Sequence, residues 1–146
     1  MSDGLRIIIA HTPAERADAM ALRIAVFVEE QQIPRDEELD EYDDTAVHCI
    51  GYIGDAPVAT GRLLLFDGHA KVGRMAVLES HRGRGHGAAV LDALEREAAA
   101  RGVRTIRLSA QLHAAPFYER AGYVRVGDVY DEVDIPHIAM EKTLGG

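Results

Sequence analysis

Short apolar runs and helical stripes alternate along the chain and predict a mixed α/β fold. Residues 5–10 include three consecutive isoleucines and predict a buried strand. The next four residues predict a helix start, with Thr12 as the cap, Pro13 in the first helical position and Glu15 closing a capping box. The expected buried stripe of this helix consists of Met20, Ala21, Ile24, Phe27 and Val28.

The remaining pattern predicts three more strands, a helix, a strand, a second helix and two closing strands. These elements are expected at 46–53, 58–66, 70–78, 87–101, 104–110, 114–121, 123–130 and 137–143. Val90, Leu91, Leu94 and Ala98 form the apolar stripe of the long helix. Pro136 is expected to precede the last strand, because proline cannot donate a ladder hydrogen bond. The order predicts one domain over residues 1–146, with helices on the faces of a mixed sheet.

Composition narrows the classes of partner. The chain has 24 acidic and 16 basic residues and a net charge of -8, which disfavours non-specific binding to nucleic acid or anionic membranes. Cys49 is the only cysteine, so no internal disulfide can form and a reducing cytoplasm is expected. Residues 1–6 lack the pattern of a signal peptide, and no apolar run approaches the ~20 residues of a membrane span.

A glycine-rich segment between a predicted strand and a predicted helix carries the main chemical signal. Residues 82–87 read Arg-Gly-Arg-Gly-His-Gly. Glycine lets successive N–H groups face an anion, and a helix start adds free donors and a positive dipole end. Arg82 and Arg84 add positive charge. Since neither the Rossmann spacing nor the Lys-Ser/Thr ending of a nucleotide loop is present, the segment predicts a different phosphate site.

Two motifs resemble the GCN5-related N-acetyltransferase (GNAT) superfamily. Residues 82–87 resemble its Arg/Gln-x-x-Gly-x-Gly/Ala loop, which binds the pyrophosphate of coenzyme A. Residues 114–123, Ala-Ala-Pro-Phe-Tyr-Glu-Arg-Ala-Gly-Tyr, resemble its Ala-x-x-Phe-Tyr-x-x-x-Gly-Phe/Tyr signature. Residues 22–31, 108–111 and 134–140 are similar to the ElaA/YjcF-like branch. The resemblance implies a GNAT fold that transfers the acetyl group of acetyl-CoA directly to a primary amine of a small molecule.

The resemblance also implies roles for single residues at the donor site. Backbone groups of Met75, Ala76 and Val77 are expected to pair with the pantetheine arm, with a bulge aiming one N–H at the thioester oxygen. Tyr118 is expected to protonate the departing thiolate. The other expected donor-site residues are Arg82, Gly83, Arg84, Gly85, His86, Gly87, Gln111 and Phe117. Gln111 departs from the asparagine that the superfamily often has there.

The sequence gives fewer indications of the residues that bind the acceptor and act as the general base. The acidic run at 35–44 by itself predicts a solvated loop, whereas the branch resemblance implies that Arg23, Phe27, Asp40 and Asp43 line the acceptor pocket. An ion pair with these acids is the alternative role for Arg23. The candidate general bases are Glu29, Glu30, Asp40, Asp43, His48 and His137, and a water relay is the alternative. The seven histidines show no metal-binding spacing, so no metal is expected.

Two alternative functions remain open. Arg23, Phe27, the acidic run and residues 61–64 are similar to acyl-homoserine lactone synthases, which share this fold but use acyl carrier protein and S-adenosylmethionine. A CoA-binding sensor without catalysis is the other alternative, and Tyr118 argues against it. Many relatives look dimeric, which leaves a homodimer open, although no sequence feature marks an interface.

Overall fold

The computed structural model describes residues 4–145, and its strands form one seven-stranded sheet. Residues 1–3 and 146 lie outside the described residues. The prediction that residues 1–6 form no signal peptide therefore falls in part on residues that the structure does not describe. The strands are β1 (Leu5–Ile9), β2 (Val47–Ile53), β3 (Ala56–Leu65), β4 (Ala70–Val77), β5 (Thr105–Gln111), β6 (Val124–Glu132) and β7 (Ile135–Thr143). The helices are α1 (Pro13–Arg23), α2 (Arg35–Glu38), α3 (His86–Ala100) and α4 (Ala115–Arg120), and a π-helical segment (Ile24–Glu30) extends α1.

The predicted mixed sheet and the order of its main elements are confirmed, and two local predictions are wrong. The acidic run at 35–44 is not a plain loop, because it contains α2 and the 3₁₀ segment Glu41–Asp44. Pro136 lies inside β7 and pairs with Asp131 of β6. It is tolerated there because β5 ends opposite His137, so the backbone of Pro136 has no β5 partner to bond.

The first helix begins as predicted but buries a different stripe. Thr12 and Glu15 form the capping box. The predicted stripe is confirmed at Phe27 and wrong at Ala21, which is exposed; the helix also buries Ala19, Leu22, Arg23 and Val26. A hydrophobic pattern does not predict Arg23 as a core residue, because its side chain is charged.

The sheet is antiparallel except where β4 lies beside β5. Its order is β1-β2-β3-β4-β5-β7-β6. β4 and β5 pair in parallel at only three positions, from Ala70 and Ile106 to Val72 and Leu108. One face packs against α3, whose predicted stripe is buried, and α1 covers β2, β3 and β4 on the other face. No helix within residues 4–145 is both long and apolar enough to cross a membrane.

A β-bulge distorts β4 where it faces Gly61 of β3. Thr60 pairs with Ala76 and Arg62 with Gly73, so Arg74 and Met75 together oppose one residue. The side chain of Met75 lies over Gly61, because a Cβ at Gly61 would come within 2.5 Å of its sulfur. That Cβ would also meet Leu94 of α3 at 2.9 Å. Only glycine fits this point of the sheet without displacing its neighbours.

We expect Gly61→Ala to lower the free energy of unfolding by about 1–3 kcal/mol, because the added methyl group overpacks the core. Gly73→Ala is the matched control, since a Cβ at Gly73 meets nothing within 4 Å and its φ is not positive. Urea denaturation of both variants measures the difference. Equal stability of the two variants would contradict the packing described for Gly61.

Candidate active site

The divergence of β4 from β5 opens a cleft in the sheet. Beyond Val72 and Leu108 the two strands no longer pair. A cavity of about 1190 Å³ occupies this region, and Met75, Ala76 and Val77 line it. The cavity also reaches the glycine-rich segment at one side and the β6–β7 hairpin at the other. The structure therefore brings most of the predicted site residues to one space.

The loop at residues 82–87 has the backbone of an anion cradle. Gly83 has a φ of +79° and Gly85 a φ of +83°, conformations that other residues rarely adopt. α3 begins at His86, so its free N–H groups and positive dipole end lie at the loop. Gly83, Gly85, His86 and Gly87 line the cavity, whereas Arg84 is exposed and does not.

Arg82 and Glu30 form a two-pronged ion pair at the cavity. Nη1 and Nη2 of Arg82 each donate to a carboxylate oxygen of Glu30 at 2.7 Å, and Nε donates to the Val77 carbonyl at 2.9 Å. The hydrogen bond from Arg82 lowers the pKa of Glu30. A carboxylate held in this way is a weak base, so the structure argues against Glu30 as the general base.

His86 is buried beneath the loop. Its exposed fraction is 2%, and Nε2 has no hydrogen-bond partner among the described residues. The next residue, Gly87, lies against Phe117 and Val77, since a Cβ there would meet their carbons at 3.4 and 3.5 Å. This packing connects the loop to the start of α4 and to β4. The unpartnered Nε2 of His86 is a polar group that a ligand bound at the loop could satisfy.

Tyr118 lies in the wall of the cavity near the loop. Its ring packs edge-to-face against Phe117 and Tyr123, with centroids 4.9 and 5.9 Å away. Burial raises the pKa of its hydroxyl group. Tyr118 is therefore protonated at neutral pH and has a proton to donate.

Gln111 reaches across the cavity to the end of the π-helical segment. Its Nε2 donates to Oε1 of Gln31 at 2.8 Å, and Nε2 of Gln31 returns a bond of 3.3 Å to Oε1 of Gln111. His113 is 2.7 Å from the same oxygen. The amide of Gln111 is thus bound to protein groups on the acceptor side of the cavity.

His137 presents a basic nitrogen at the other end of the cavity. Its Nδ1–H donates to the Ile135 carbonyl at 2.7 Å, which leaves the lone pair of a neutral ring on Nε2. Nε2 is 3.6 Å from a carboxylate oxygen of Glu132. Tyr130, hydrogen-bonded to Ser109, lies beside the imidazole ring. The side chains of His137, Glu132 and Ser109 line the cavity.

The acidic run folds inward onto three arginines. Arg23 is 1% exposed and contacts Glu38 at 2.6 Å and Asp43 at 2.5 Å. Arg62 contacts Asp40 at 2.7 Å and Asp43 at 2.8 Å. The prediction of a solvated loop is wrong for Glu38, Asp40 and Asp43, because these carboxylates find buried cationic partners.

Four residues predicted at the catalytic or acceptor site do not line the cavity: Arg23, Glu29, Asp43 and His48. Glu29 is exposed. Arg23 is enclosed in its ion pairs, the alternative role considered for it, and Asp43 is bound by both arginines. His48 is 3% exposed, its Nε2–H donates to the Asp43 carbonyl at 2.9 Å, and burial lowers its pKa. His48 is therefore a structural residue, whereas Phe27 and Asp40 do line the cavity.

Cys49 is fully buried, and burial raises the pKa of its thiol to about 12, which makes it a poor nucleophile. Within residues 4–145, no three His, Cys, Asp or Glu side chains are grouped as metal ligands.

The chain was compared with known families and structures. Residues 15–144 match the family described as "Acetyltransferase (GNAT) domain". The uncharacterised N-acetyltransferase YjcF of Bacillus subtilis is 38% identical over 139 residues, which cover 94% of this chain and 99% of YjcF. The chain belongs to the GNAT acetyltransferase family.

Two crystal structures are similar to the structure of this chain. A putative N-acetyltransferase from Lactobacillus plantarum superposes with a TM-score of 0.90 and 38% identity, over 97% of this chain and 99% of that one. Escherichia coli ElaA superposes with a TM-score of 0.82 and 30% identity, over 94% and 97%. The predicted GNAT fold and ElaA/YjcF-like branch are confirmed, and the chain is an acyltransferase of a family that uses acyl-CoA.

Sequence reasoning missed several residues of this GNAT cavity. Gln31, Arg62, Arg74, Ser109 and Glu132 all line it. The register of the sheet brings Gln111 of β5 and Tyr130 of β6 to opposite sides of His137 in β7. That register depends on the irregular pairing between Val126 and Tyr130, which the sequence pattern does not reveal.

We expect Asp43→Asn to lower the free energy of unfolding of this GNAT chain at pH 7 by about 1.5–3 kcal/mol, because charged hydrogen bonds are lost. Burial alone would raise the pKa of Asp43, but the hydrogen bonds from Arg23 and the Asp40 N–H lower it from 3.8 to about 2. Asp43 therefore stabilises the fold fully above about pH 4 and loses this effect as the pH falls towards 2.

Urea denaturation between pH 7 and pH 3 measures this dependence. Asp44→Asn is the control, because Asp44 is the exposed neighbour in the same 3₁₀ segment. A stability difference between Asp43→Asn and wild type that stays constant down to pH 3 would contradict the ion-paired state of Asp43.

Proposed function

We propose that this protein is an N-acetyltransferase that transfers the acetyl group of acetyl-CoA to a primary amine of a small molecule. Family membership supports acyl transfer from acyl-CoA. The choice of acetyl-CoA rests on one observation: a single cavity joins the anion cradle at 82–87, the open edge of β4 and the side chains of Tyr118 and His137. The arrangement allows donor and acceptor to be bound together, so that the amine attacks directly.

The donor is proposed to lie along the cleft between β4 and β5. The loop residues Gly83, Gly85 and Gly87 suit its pyrophosphate, because a phosphate needs close backbone approach and N–H donors. Arg82 supplies positive charge, and a phosphate would compete with Glu30 for it. Backbone groups of β4 at 75–77 suit the pantetheine arm, since they are unpaired with β5.

Backbone and tyrosine groups are proposed to stabilise the charges that develop during transfer. A backbone N–H near the β4 bulge is proposed to donate to the thioester oxygen as it gains negative charge. Tyr118 is proposed to give its proton to the departing sulfur. A neutral, buried phenol suits this task, because a thiolate beside an apolar wall is costly unless it is protonated.

His137 is the general base that the geometry favours. The amine must lose a proton before or during its attack, and Nε2 of His137 presents a lone pair to the cavity. Glu132, whose carboxylate lies 3.6 Å from Nε2, is proposed to stabilise the imidazolium that forms. Glu30 is held by Arg82, and His48 lies outside the cavity, so neither competes with His137. A cytoplasmic location and a homodimer stay predictions.

We expect acetyl-CoA to raise the melting temperature of the wild-type protein, since ligand at 100 times its dissociation constant adds about 2.7 kcal/mol. Gly85→Ala should reduce this shift strongly, because alanine disfavours the φ of +83° in the cradle. Gly68→Ala is the matched control. Gly68 has the same φ and similarly open surroundings, but its turn lies outside the cavity.

Thermal melts with acetyl-CoA, S-adenosylmethionine and ATP separate the alternatives. Stabilisation by S-adenosylmethionine instead of acetyl-CoA would favour the reaction of homoserine lactone synthases. Stabilisation by acetyl-CoA without turnover of any amine would favour a sensor. No shift at millimolar acetyl-CoA would overturn the proposed donor site.

We expect Tyr118→Phe to reduce kcat about 10²-fold or more while leaving the acetyl-CoA melting shift intact, because the acid is lost but the ring packing remains. Release of free CoA thiol, with an amine found by screening, measures kcat. Tyr123→Phe is the control, since its hydroxyl bonds Glu95 outside the cavity. His137→Gln in the same assay should also lower kcat, because the proposed general base is removed. Wild-type kcat in Tyr118→Phe would exclude its role as the acid.

A further inference from the structure

Arg74 adopts a strained backbone conformation next to the predicted catalytic backbone. Its φ is +52°, a left-handed value that costs a non-glycine residue about 1–3 kcal/mol. Arg74 and Met75 form the bulge opposite Gly61. The peptide that follows Arg74 is the first of the segment at 75–77 that lines the cavity. Strain of this kind persists only where the surroundings hold the residue in place.

Contacts on both faces of the sheet hold the bulge. On one face, the side chain of Met75 packs over Gly61 against α3. On the other face, Nε of Arg74 lies 3.2 Å from both the backbone oxygen and Oε1 of Glu38. Nη2 of Arg74 donates to Asp40 at 3.2 Å. The peptide between Arg74 and Met75 is thus held from above and below.

The groups that bind Arg74 are themselves fixed to three other elements. Arg62, paired with Gly73 beside the bulge, donates to both carboxylate oxygens of Asp40 at 2.7 and 2.8 Å. Arg23 of α1 donates to the side chain of Glu38 at 2.6 Å and to its backbone oxygen at 2.9 Å. His48 of β2 donates to the Asp43 carbonyl. The segment at 38–43 therefore connects α1, β2 and β3 to the bulge in β4.

We propose that Arg74 is a positioning residue whose tether to Glu38 and Asp40 aims the backbone N–H groups of 75–77 at the reacting carbonyl. This proposal rests on the proposed acetyl transfer. The tether fixes the orientation of these N–H groups. Orientation matters because an N–H donor stabilises the developing charge only when it points at the oxygen. A buried network of three arginines and three carboxylates is a poor source of stability, because desolvation opposes the attraction. Its place beside the bulge agrees with a positioning role.

Replacement by glycine separates the tether from the backbone conformation. Arg74→Gly keeps the left-handed φ at no steric cost but removes both contacts to the acidic segment. We expect kcat to fall about tenfold or more, since a 1 Å misplacement of a reacting group can cost 10²-fold. The KM for acetyl-CoA should stay within about twofold, because the loop at 82–87 is unchanged. Arg74→Lys, which keeps the charge but not the forked donors, should lose part of kcat.

Arg107→Gly is the matched control. Arg107 lies on the neighbouring strand β5, is exposed, pairs with Glu141 at 3.0 Å and does not line the cavity. This variant should lose stability without losing kcat per folded molecule. A kcat for Arg74→Gly within about twofold of wild type would overturn the proposal. The left-handed backbone conformation would then orient the N–H groups without the contacts to Glu38 and Asp40.

Amide hydrogen exchange of the free protein supplies a readout that needs no turnover. We expect the amides of 75–77 to exchange faster in Arg74→Gly than in wild type and Arg107→Gly, and unchanged exchange would also overturn the proposal. If Arg74→Gly does not fold, Asp40→Asn tests the other end of the tether, with the same loss of kcat and the same criterion. Absence of wild-type turnover with every amine would instead count against the proposed function, and the exchange result would still decide the tether.

Discussion

β4 and β5 are hydrogen-bonded at only three residue pairs, and their divergence after Val72 and Leu108 leaves backbone edges without a partner inside the sheet. Unpaired backbone groups are costly where water is excluded. A ligand that adds its own amide groups along β4 satisfies such an edge. The cleft, the site it contains and the elements around it all follow from this early end to strand pairing.

Contacts on both faces of the sheet hold β4 where it diverges from β5. The bulge at Arg74 bends β4, and Gly61 makes room for Met75 on the α3 face. On the opposite face, carboxylates from the acidic run meet arginines from α1, β3 and β4. On this face, ion pairs and not apolar contacts hold the bent part of β4. The cost of burying these groups is offset because each arginine of the network contacts two of its carboxylate residues.

The same network sets the charge balance at one side of the cavity. Glu38, Asp40 and Asp43 are paired with Arg23, Arg62 and Arg74, so these three carboxylates of the acidic run add little net negative charge there. The donor end differs, because glycine conformations and the start of α3 concentrate N–H donors there.

The glycine-rich loop, the cap at Thr12 and the order of the main elements were determined by the sequence itself. Their physical causes are local: glycine conformations, capping side chains and the period of apolar residues act over a few positions. The tertiary structure decided the rest, because it depends on residues far apart in the chain. Arg23 is a core residue only because Glu38 and Asp43 fold back onto it. Likewise, His48 and His137 look alike as strand histidines, and only the sheet register and the cleft place one of them at the cavity.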